Sequence, residues 1–234
     1  MIRLVLTWLG LSVVASAAAA QGVSPAVHPG SRSLNFTFGG FGGFGLTGTG
    51  PSGGVGISYF TNAKTAVRVG LQVREYTRTL SWNSATGATG TDGSESGVSV
   101  GAAVDYLKFM RAATSRVRPY VGGGVGLMAI TNKTMPAAAT GVTVTETRNA
   151  PGGISTPGFA SPGLTFDLHA NLGAEFFLFN EISVAGEYGL NVINRTSPAD
   201  MQAVTGGTTV TTKGNPTTNV LGFGAAGATV RIYF

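Results

Sequence analysis

The sequence predicts an all-β fold, an eight-stranded antiparallel up-and-down transmembrane β-barrel. Three observations predict it: an export signal at the N-terminus, eight segments in which apolar and polar side chains alternate, and a final strand that ends on Phe234. Successive side chains of a strand point to opposite faces. Such segments therefore present an apolar face to lipid and a polar face to the interior of a closed barrel.

The N-terminus has the three parts of a secretory signal peptide. Arg3 provides a positive charge, and residues 4–14 form an apolar stretch that is shorter than the roughly 20 residues of a spanning helix. Small residues then precede an expected cleavage between Ala20 and Gln21. The expected division is a signal peptide over residues 1–20, an N-terminal periplasmic lead over residues 21–33 and an outer-membrane β-barrel over residues 34–234.

Composition excludes several classes of protein. The chain has no Cys, so it has neither disulfides nor thiolate metal sites, and we expect no cofactor. The formal net charge of +5 becomes 5 − 1 = +4 once Arg3 leaves with the signal, and the basic residues are scattered without a run. Nucleic-acid binding is therefore not expected, because it requires a clustered basic patch.

The eight segments of strand character are joined by links that alternate in length. The segments are residues 34–46, 54–60, 66–80, 96–109, 119–130, 164–178, 181–193 and 220–234. The links at 83–95, 131–163 and 194–219 are long and rich in Thr, Gly, Ala and Pro, whereas the turns after the second, fourth and sixth segments are short. Short periplasmic turns, long external loops and an even number of strands are typical of bacterial outer-membrane barrels.

The sixth segment has the clearest alternation. Its expected outward residues are Leu164, Phe166, Leu168, Ala170, Leu172, Ala174, Phe176 and Leu178, and its expected inward residues are Thr165, Asp167, His169, Asn171, Gly173 and Glu175. In the glycine-rich fifth segment we expect Val121, Val125 and Leu127 to face outward.

Aromatic residues cluster near the short turns. They are Tyr59, Phe60, Tyr106, Phe109, Tyr120, Phe176, Phe177, Phe179, Tyr233 and Phe234. Aromatic side chains at the ends of membrane-spanning strands usually lie at the headgroup level, so we expect an outward girdle here. Trp82, Phe44 and Tyr188 are candidates for the opposite rim.

Two segments resemble those of a known family. The final strand places Val230, Ile232 and Phe234 on one face, and this pattern resembles the C-terminal signal that outer-membrane barrels present to the barrel-assembly machinery. The segment 118–126, Arg-Pro-Tyr-Val-Gly-Gly-Gly-Val-Gly, is similar to a Pro-Tyr-x-Gly-x-Gly strand opening frequent in the OmpA-like outer-membrane β-barrel domain family, which includes the small OmpX-like and OmpW-like barrels.

The resemblance implies a location and a set of partners. We expect the outer membrane of a Gram-negative-type bacterium, reached through the cleaved signal peptide. The expected partners are outer-membrane lipid and the assembly machinery, together with an unspecified surface ligand of the long loops. OmpA carries a peptidoglycan-binding domain after its barrel, and we expect none here because Phe234 ends the chain.

An eight-stranded interior is just wide enough to be filled by side chains. Counting inward from the short turns predicts an ion-pair network in the periplasmic half of the lumen, since unpaired buried charges are costly. Its expected members are Arg68, Asp105, Glu175, Glu187 and Arg231. A gated polar path is the alternative interpretation of the same residues.

The sequence favours a non-enzymatic protein with a structural or surface-binding role. A narrow channel for small or hydrophobic solutes is the first alternative, and a lipid-modifying enzyme is the second. His169 is the candidate base for an enzyme, but the lipid A deacylase family has a Ser two residues after its catalytic His, where this chain has Asn171. The glycines of 39–45 are not expected to bind phosphate, because no helix follows them.

Overall fold

A computed structural model of the chain describes residue 25 and residues 27–38, 53–83, 89–150 and 162–234. No helix occurs among these residues, and accordingly no described helix is long and apolar enough to cross a membrane. The expected signal peptide, its cleavage site at Ala20 and Gln21, the glycines of 39–45 and Phe44 lie outside the described residues.

Thirteen strands are described, and eight of them build the barrel. The barrel strands are β1 (Arg32–Phe38), β2 (Gly53–Asn62), β3 (Thr65–Leu80), β5 (Gly93–Phe109), β6 (Val117–Met135), β9 (Gly163–Phe177), β10 (Ile182–Pro198) and β13 (Thr217–Tyr233). The shorter strands are β4 (Gly90–Thr91), β7 (Ala138–Ala139), β8 (Thr145–Arg148), β11 (Met201–Thr205) and β12 (Thr208–Thr212).

The barrel is a closed antiparallel ring. Its order is β1-β2-β3-β5-β6-β9-β10-β13, and β13 pairs with β1 to complete it. At the seam Leu34 lies opposite Ile232, and Arg32 and Phe234 exchange both backbone hydrogen bonds at 3.0 and 3.1 Å. A closed ring leaves none of the described barrel strands with an open edge. The predicted fold class is therefore confirmed.

Several strands continue further outward than the alternation indicates. Strand β5 starts at Gly93 rather than residue 96, β6 ends at Met135 rather than 130, and β10 ends at Pro198 rather than 193. Apolar alternation marks only the part of a strand that faces lipid. Beyond the membrane both faces are polar, so the sequence signal stops while backbone pairing continues.

Three of the short strands extend the sheet on the side opposite the short turns. Strand β8 pairs with β6, β11 pairs with β8, and β12 pairs with β11. We call β8, β11 and β12 the external sheet. Two segments predicted to be loops thus contain ordered strands, which Thr-rich sequences such as Thr208–Thr212 favour through their β-branched side chains.

The barrel has its apolar side chains outside and its polar side chains inside. On β3, Val69, Leu71 and Val73 are exposed, whereas Arg68 and Gln72 are buried. The expected facing of the fifth segment is also found, since Val121, Val125 and Leu127 are exposed. This inverts the arrangement of a water-soluble protein and suits a barrel surrounded by lipid.

Ring closure predicts heat-modifiable migration. Purified, refolded protein should run at different positions on a detergent gel before and after boiling, because the closed hydrogen-bond ring resists detergent at room temperature. Protein kept in urea and never refolded is the control and should run like the boiled sample. Identical migration of all three samples would contradict the closed barrel.

Candidate functional site

The end of the lumen nearest the short turns is filled by aromatic rings. Phe60, Phe109, Tyr120, Phe177 and Tyr233 are at most 2% exposed and pack together, and we call these five residues the aromatic plug. Their ring centroids lie 5.2 Å apart for Phe109 and Tyr120, 5.3 Å for Phe177 and Tyr233, and 5.5 Å for Phe60 and Phe109. These separations are typical of favourable tilted aromatic pairs.

The prediction of an outward girdle is wrong for the five plug residues. Tyr59, Tyr106, Phe179 and Phe234 are exposed as expected. Neighbouring residues of a strand point to opposite faces, so the pair Tyr59 and Phe60 places one ring outside and one inside. The alternation itself therefore predicts that one ring of each adjacent aromatic pair lies inside the barrel. On the opposite rim, Tyr188 is exposed and Trp82 is half-buried.

Arg68 connects opposite walls of the barrel above the plug. Its Nε donates to Asp105 Oδ2 at 2.7 Å, across the neighbouring pair β3 and β5. Its Nη1 and Nη2 donate to the two carboxylate oxygens of Glu187 at 2.8 and 2.9 Å. Glu187 belongs to β10, which lies four places from β3 around the eight-strand ring, so the guanidinium spans the lumen.

Tyr120 joins this pair to a second cluster around Glu175. The Tyr120 hydroxyl donates to Glu187 Oε2 at 2.8 Å and accepts from Arg231 Nη2 at 3.2 Å. Arg231 Nη1 lies 3.2 Å from Glu175 Oε1, which also accepts hydrogen bonds from Ser183 and Tyr233. The structure therefore brings Arg68, Asp105, Glu175, Glu187 and Arg231 into one connected network.

Arg118 is a member of the network that the sequence analysis did not assign. It is fully buried, its Nη1 lies 3.7 Å from Glu175 Oε2, and its Nη2 donates to the Ala63 carbonyl at 2.8 Å. Its guanidinium lies 4.1 Å from the ring centroid of Phe109, within cation–π distance. The alternation along the strand indicates this position, because Arg118 is two residues before Tyr120 and therefore faces the lumen as Tyr120 does.

His169 extends the network upward between two carboxylates. Its Nε2 lies 2.6 Å from Asp105 Oδ1, and its Nδ1 lies 2.5 Å from Asp167 Oδ2. Asn171 Nδ2 also donates to Asp105 Oδ1, at 3.1 Å. The imidazolium form of His has an N–H on both ring nitrogens, and in this form His169 donates to both carboxylates at once.

The buried charges of this network balance when His169 is in that form. The carboxylates of Asp105, Asp167, Glu175 and Glu187 carry four negative charges, and the guanidiniums of Arg68, Arg118 and Arg231 carry three positive charges. His169 supplies the fourth positive charge. A neutral network avoids the large cost of an unpaired charge in a confined interior.

The chemistry of the lumen is that of ion pairing. Both nitrogens of His169 are engaged by carboxylates, so neither is directed at a nucleophilic hydroxyl. Among the described residues, no group of three or more His, Cys, Asp or Glu side chains is arranged to hold a metal ion.

The external sheet is attached to the barrel by an exposed ion triad. Glu146 on β8 lies 2.8 Å from Lys133 Nζ on β6 and 2.6 Å from Arg148 Nε. Hydrogen bonds from Lys133 and then Arg148 lower the pKa of Glu146 below its usual value. Thr145 and Thr205 also join their hydroxyls across β8 and β11 at 2.5 Å. These contacts hold the extension in a fixed register on β6.

No known family matches the chain, and no curated protein matches it. Among solved structures, a major outer membrane protein from Thermus thermophilus is similar at 15% identity and a TM-score of 0.51, covering 88% of this chain and 100% of that one. OprG from Pseudomonas aeruginosa is similar at 10% identity and a TM-score of 0.44, covering 88% and 97%. The N-terminal barrel domain of OprF from the same organism is similar at 9% identity and a TM-score of 0.40, covering 89% of this chain and 100% of that one.

The fold is that of the outer-membrane β-barrels. The Thermus structure carries this conclusion, together with the closed ring, the polar lumen and the apolar outer surface described above. At 15% identity the likeness concerns the fold alone. Within that class the chain is a closed eight-stranded antiparallel barrel.

The charge balance predicts the effect of removing His169. His169→Gln should lower the free energy of unfolding by about 3 kcal/mol, because it leaves a buried carboxylate without its cation. The double variant Asp167→Asn/His169→Gln restores neutrality and should recover part of that loss. Urea unfolding in lipid vesicles, followed by Trp82 fluorescence, measures both.

Ser99→Ala is the matched control for this experiment. Ser99 is also buried in the lumen, and its hydroxyl has no hydrogen-bond partner among the residues that the structure describes. Its truncation should therefore change stability by much less than His169→Gln does. Equal losses for the two single variants would contradict an ionic role for His169.

Proposed function

We propose that the chain is an exported, non-enzymatic outer-membrane barrel with a closed lumen, which presents its external sheet for binding at the cell surface. The observation that carries the proposal is the filling of the lumen at two successive levels, by the aromatic plug and by the ion network. A barrel filled in this way is suited to display rather than to transport.

The outer surface and the two ends of the chain support a membrane location. Exposed apolar side chains such as Leu71 and Leu172 follow the barrel wall, where a soluble protein would carry polar groups. The signal peptide, with cleavage between Ala20 and Gln21, is the proposed route of export. Ile232 and Phe234 face outward on the closing strand, where the assembly machinery would meet them together with Val230.

The filling of the lumen favours a closed barrel rather than a channel. Arg68 bridges opposite walls through Asp105 and Glu187, and the plug lies between this bridge and the short turns. An aqueous path for solutes would need to pass both. Side-chain filling is also the usual state of eight-stranded interiors.

The external sheet supports a surface role. Strands β8, β11 and β12 stand on β6 beyond the membrane-spanning part, and the Glu146 triad fixes their register. Their sequence is dominated by Thr, with few charges. Such a surface recognises partners through hydrogen bonds and shape rather than through a strong electrostatic field.

Bilayer recording tests the closed lumen. Refolded wild-type protein should give no regular single-channel steps, whereas the plug variant Phe60→Ala/Phe109→Ala/Tyr233→Ala, combined with Arg68→Ala, should leak current because both the plug rings and the bridge are removed. The control Tyr59→Ala/Tyr106→Ala truncates outward rings and should remain silent. Unitary steps from the wild type, equal to those of the plug variant, would favour the narrow channel instead.

Lipid A mass spectrometry tests the enzymatic alternative. Cells that express the wild-type chain should have the same lipid A masses as cells without it, because His169 is held between two carboxylates and faces no nucleophile. His169→Gln should leave the spectrum equally unchanged. A mass shift produced by the wild type and abolished by this substitution would establish the enzyme.

A further inference from the structure

The external sheet ends in an open edge strand. Strand β12 pairs with β11 alone among the described strands, and all five of its residues are exposed, Val210 by 60%. Proteins usually protect such edges with a charged residue, a proline or a bulge. The sequence Thr-Thr-Val-Thr-Thr of β12 has none of these.

The hairpin between β11 and β12 determines which backbone groups are open. Thr205 lies opposite Thr208 across the two-residue turn Gly206-Gly207, in which both glycines have positive φ, +55° and +85°. The residues that flank such a turn exchange both backbone hydrogen bonds, and the pattern then alternates along the pair. Val210 therefore bonds to β11, whereas Thr209 and Thr211 direct their N–H and C=O groups to the open edge.

The sequence of β12 is self-complementary about Val210. It reads identically in both directions, so an antiparallel second copy places Thr209 opposite Thr211 of that copy and Val210 opposite itself. The paired threonines are the residues whose backbone groups are open, and they would exchange four hydrogen bonds. Lys213 would lie opposite Gly207, so no like charges oppose each other.

We propose that β12 is a self-association edge, through which two copies of this chain join by antiparallel pairing about Val210. The inference deepens the proposed surface role and rests on it for the location of the edge. A five-residue edge buries far less than the roughly 1,200 Å² of a stable interface, so pairing in dilute detergent is expected to be weak. The self-complementary sequence of β12 favours a second copy of this chain as its occupant, and a dense array of copies raises the effective concentration of that partner.

Disulfide trapping tests the register. The wild-type chain has no Cys, and paired residues at a non-hydrogen-bonded position have Cα atoms about 4.5 Å apart, within reach of a disulfide. Val210→Cys in densely loaded vesicles should form a covalent dimer on mild oxidation. Val142→Cys is the control, since Val142 is also 60% exposed but lies outside the edge, and about tenfold less dimer is expected from it.

A second substitution tests the hydrogen bonds. Thr209→Pro in the Val210→Cys background removes one donor from the open edge and should abolish the dimer. Equal dimer from Val210→Cys and Val142→Cys, or a dimer that survives Thr209→Pro, would overturn the proposal. Heat-modifiable migration of each sample distinguishes failure of the barrel to fold from failure of the barrel to dimerise. A folded barrel without the specific dimer contradicts this inference but not the proposed barrel.

Discussion

The buried guanidinium of Arg68 is the interaction on which the rest of the lumen depends. It bonds to Asp105 beside it and to Glu187 on the opposite wall, and so fixes the separation of β3 and β10 across the ring. Tyr120 and His169 continue the network from these two carboxylates in opposite directions along the axis. The aromatic plug is linked to this bridge through Tyr120, whose hydroxyl donates to the same Glu187 carboxylate.

The same strands present an apolar face to the outside of the barrel and a polar, charged face to its lumen. Lipid requires an apolar outer surface, and the buried ionisable groups of the barrel strands, such as Arg68, Asp105 and Glu175, lie in the interior. Charges in so confined a space must be neutralised by one another, and the four anions and four cations of the network meet that requirement when His169 is protonated. The external sheet has neither constraint, and its few charges are concentrated in the Glu146 triad.

The alternation of apolar and polar side chains along the strands predicts most of the barrel. This pattern of residue types does not predict the aromatic plug or the pairing of the external sheet. It predicts the facing of β9 because apolar and polar types alternate there without a break. In an aromatic pair such as Tyr59 and Phe60, the alternation of facing along a strand places one ring outside and one inside, which is why the expected girdle is wrong for the plug residues. The pairing of β8 with β6 has no such signal, because both strands are polar on each face outside the membrane and their register depends on contacts distant in sequence.

The seam between β1 and β13 joins strands that are far apart in sequence, so we expect it to form last during folding. Ser33 lies opposite Tyr233, and the intervening hairpins all join strands that are much closer along the chain. Bringing such distant segments together costs the most chain entropy, so local hairpins form early and closure comes last. Until then both seam strands have open edges, and the half-built sheet is prone to aggregate. Closure of the seam removes both of these edges in one step.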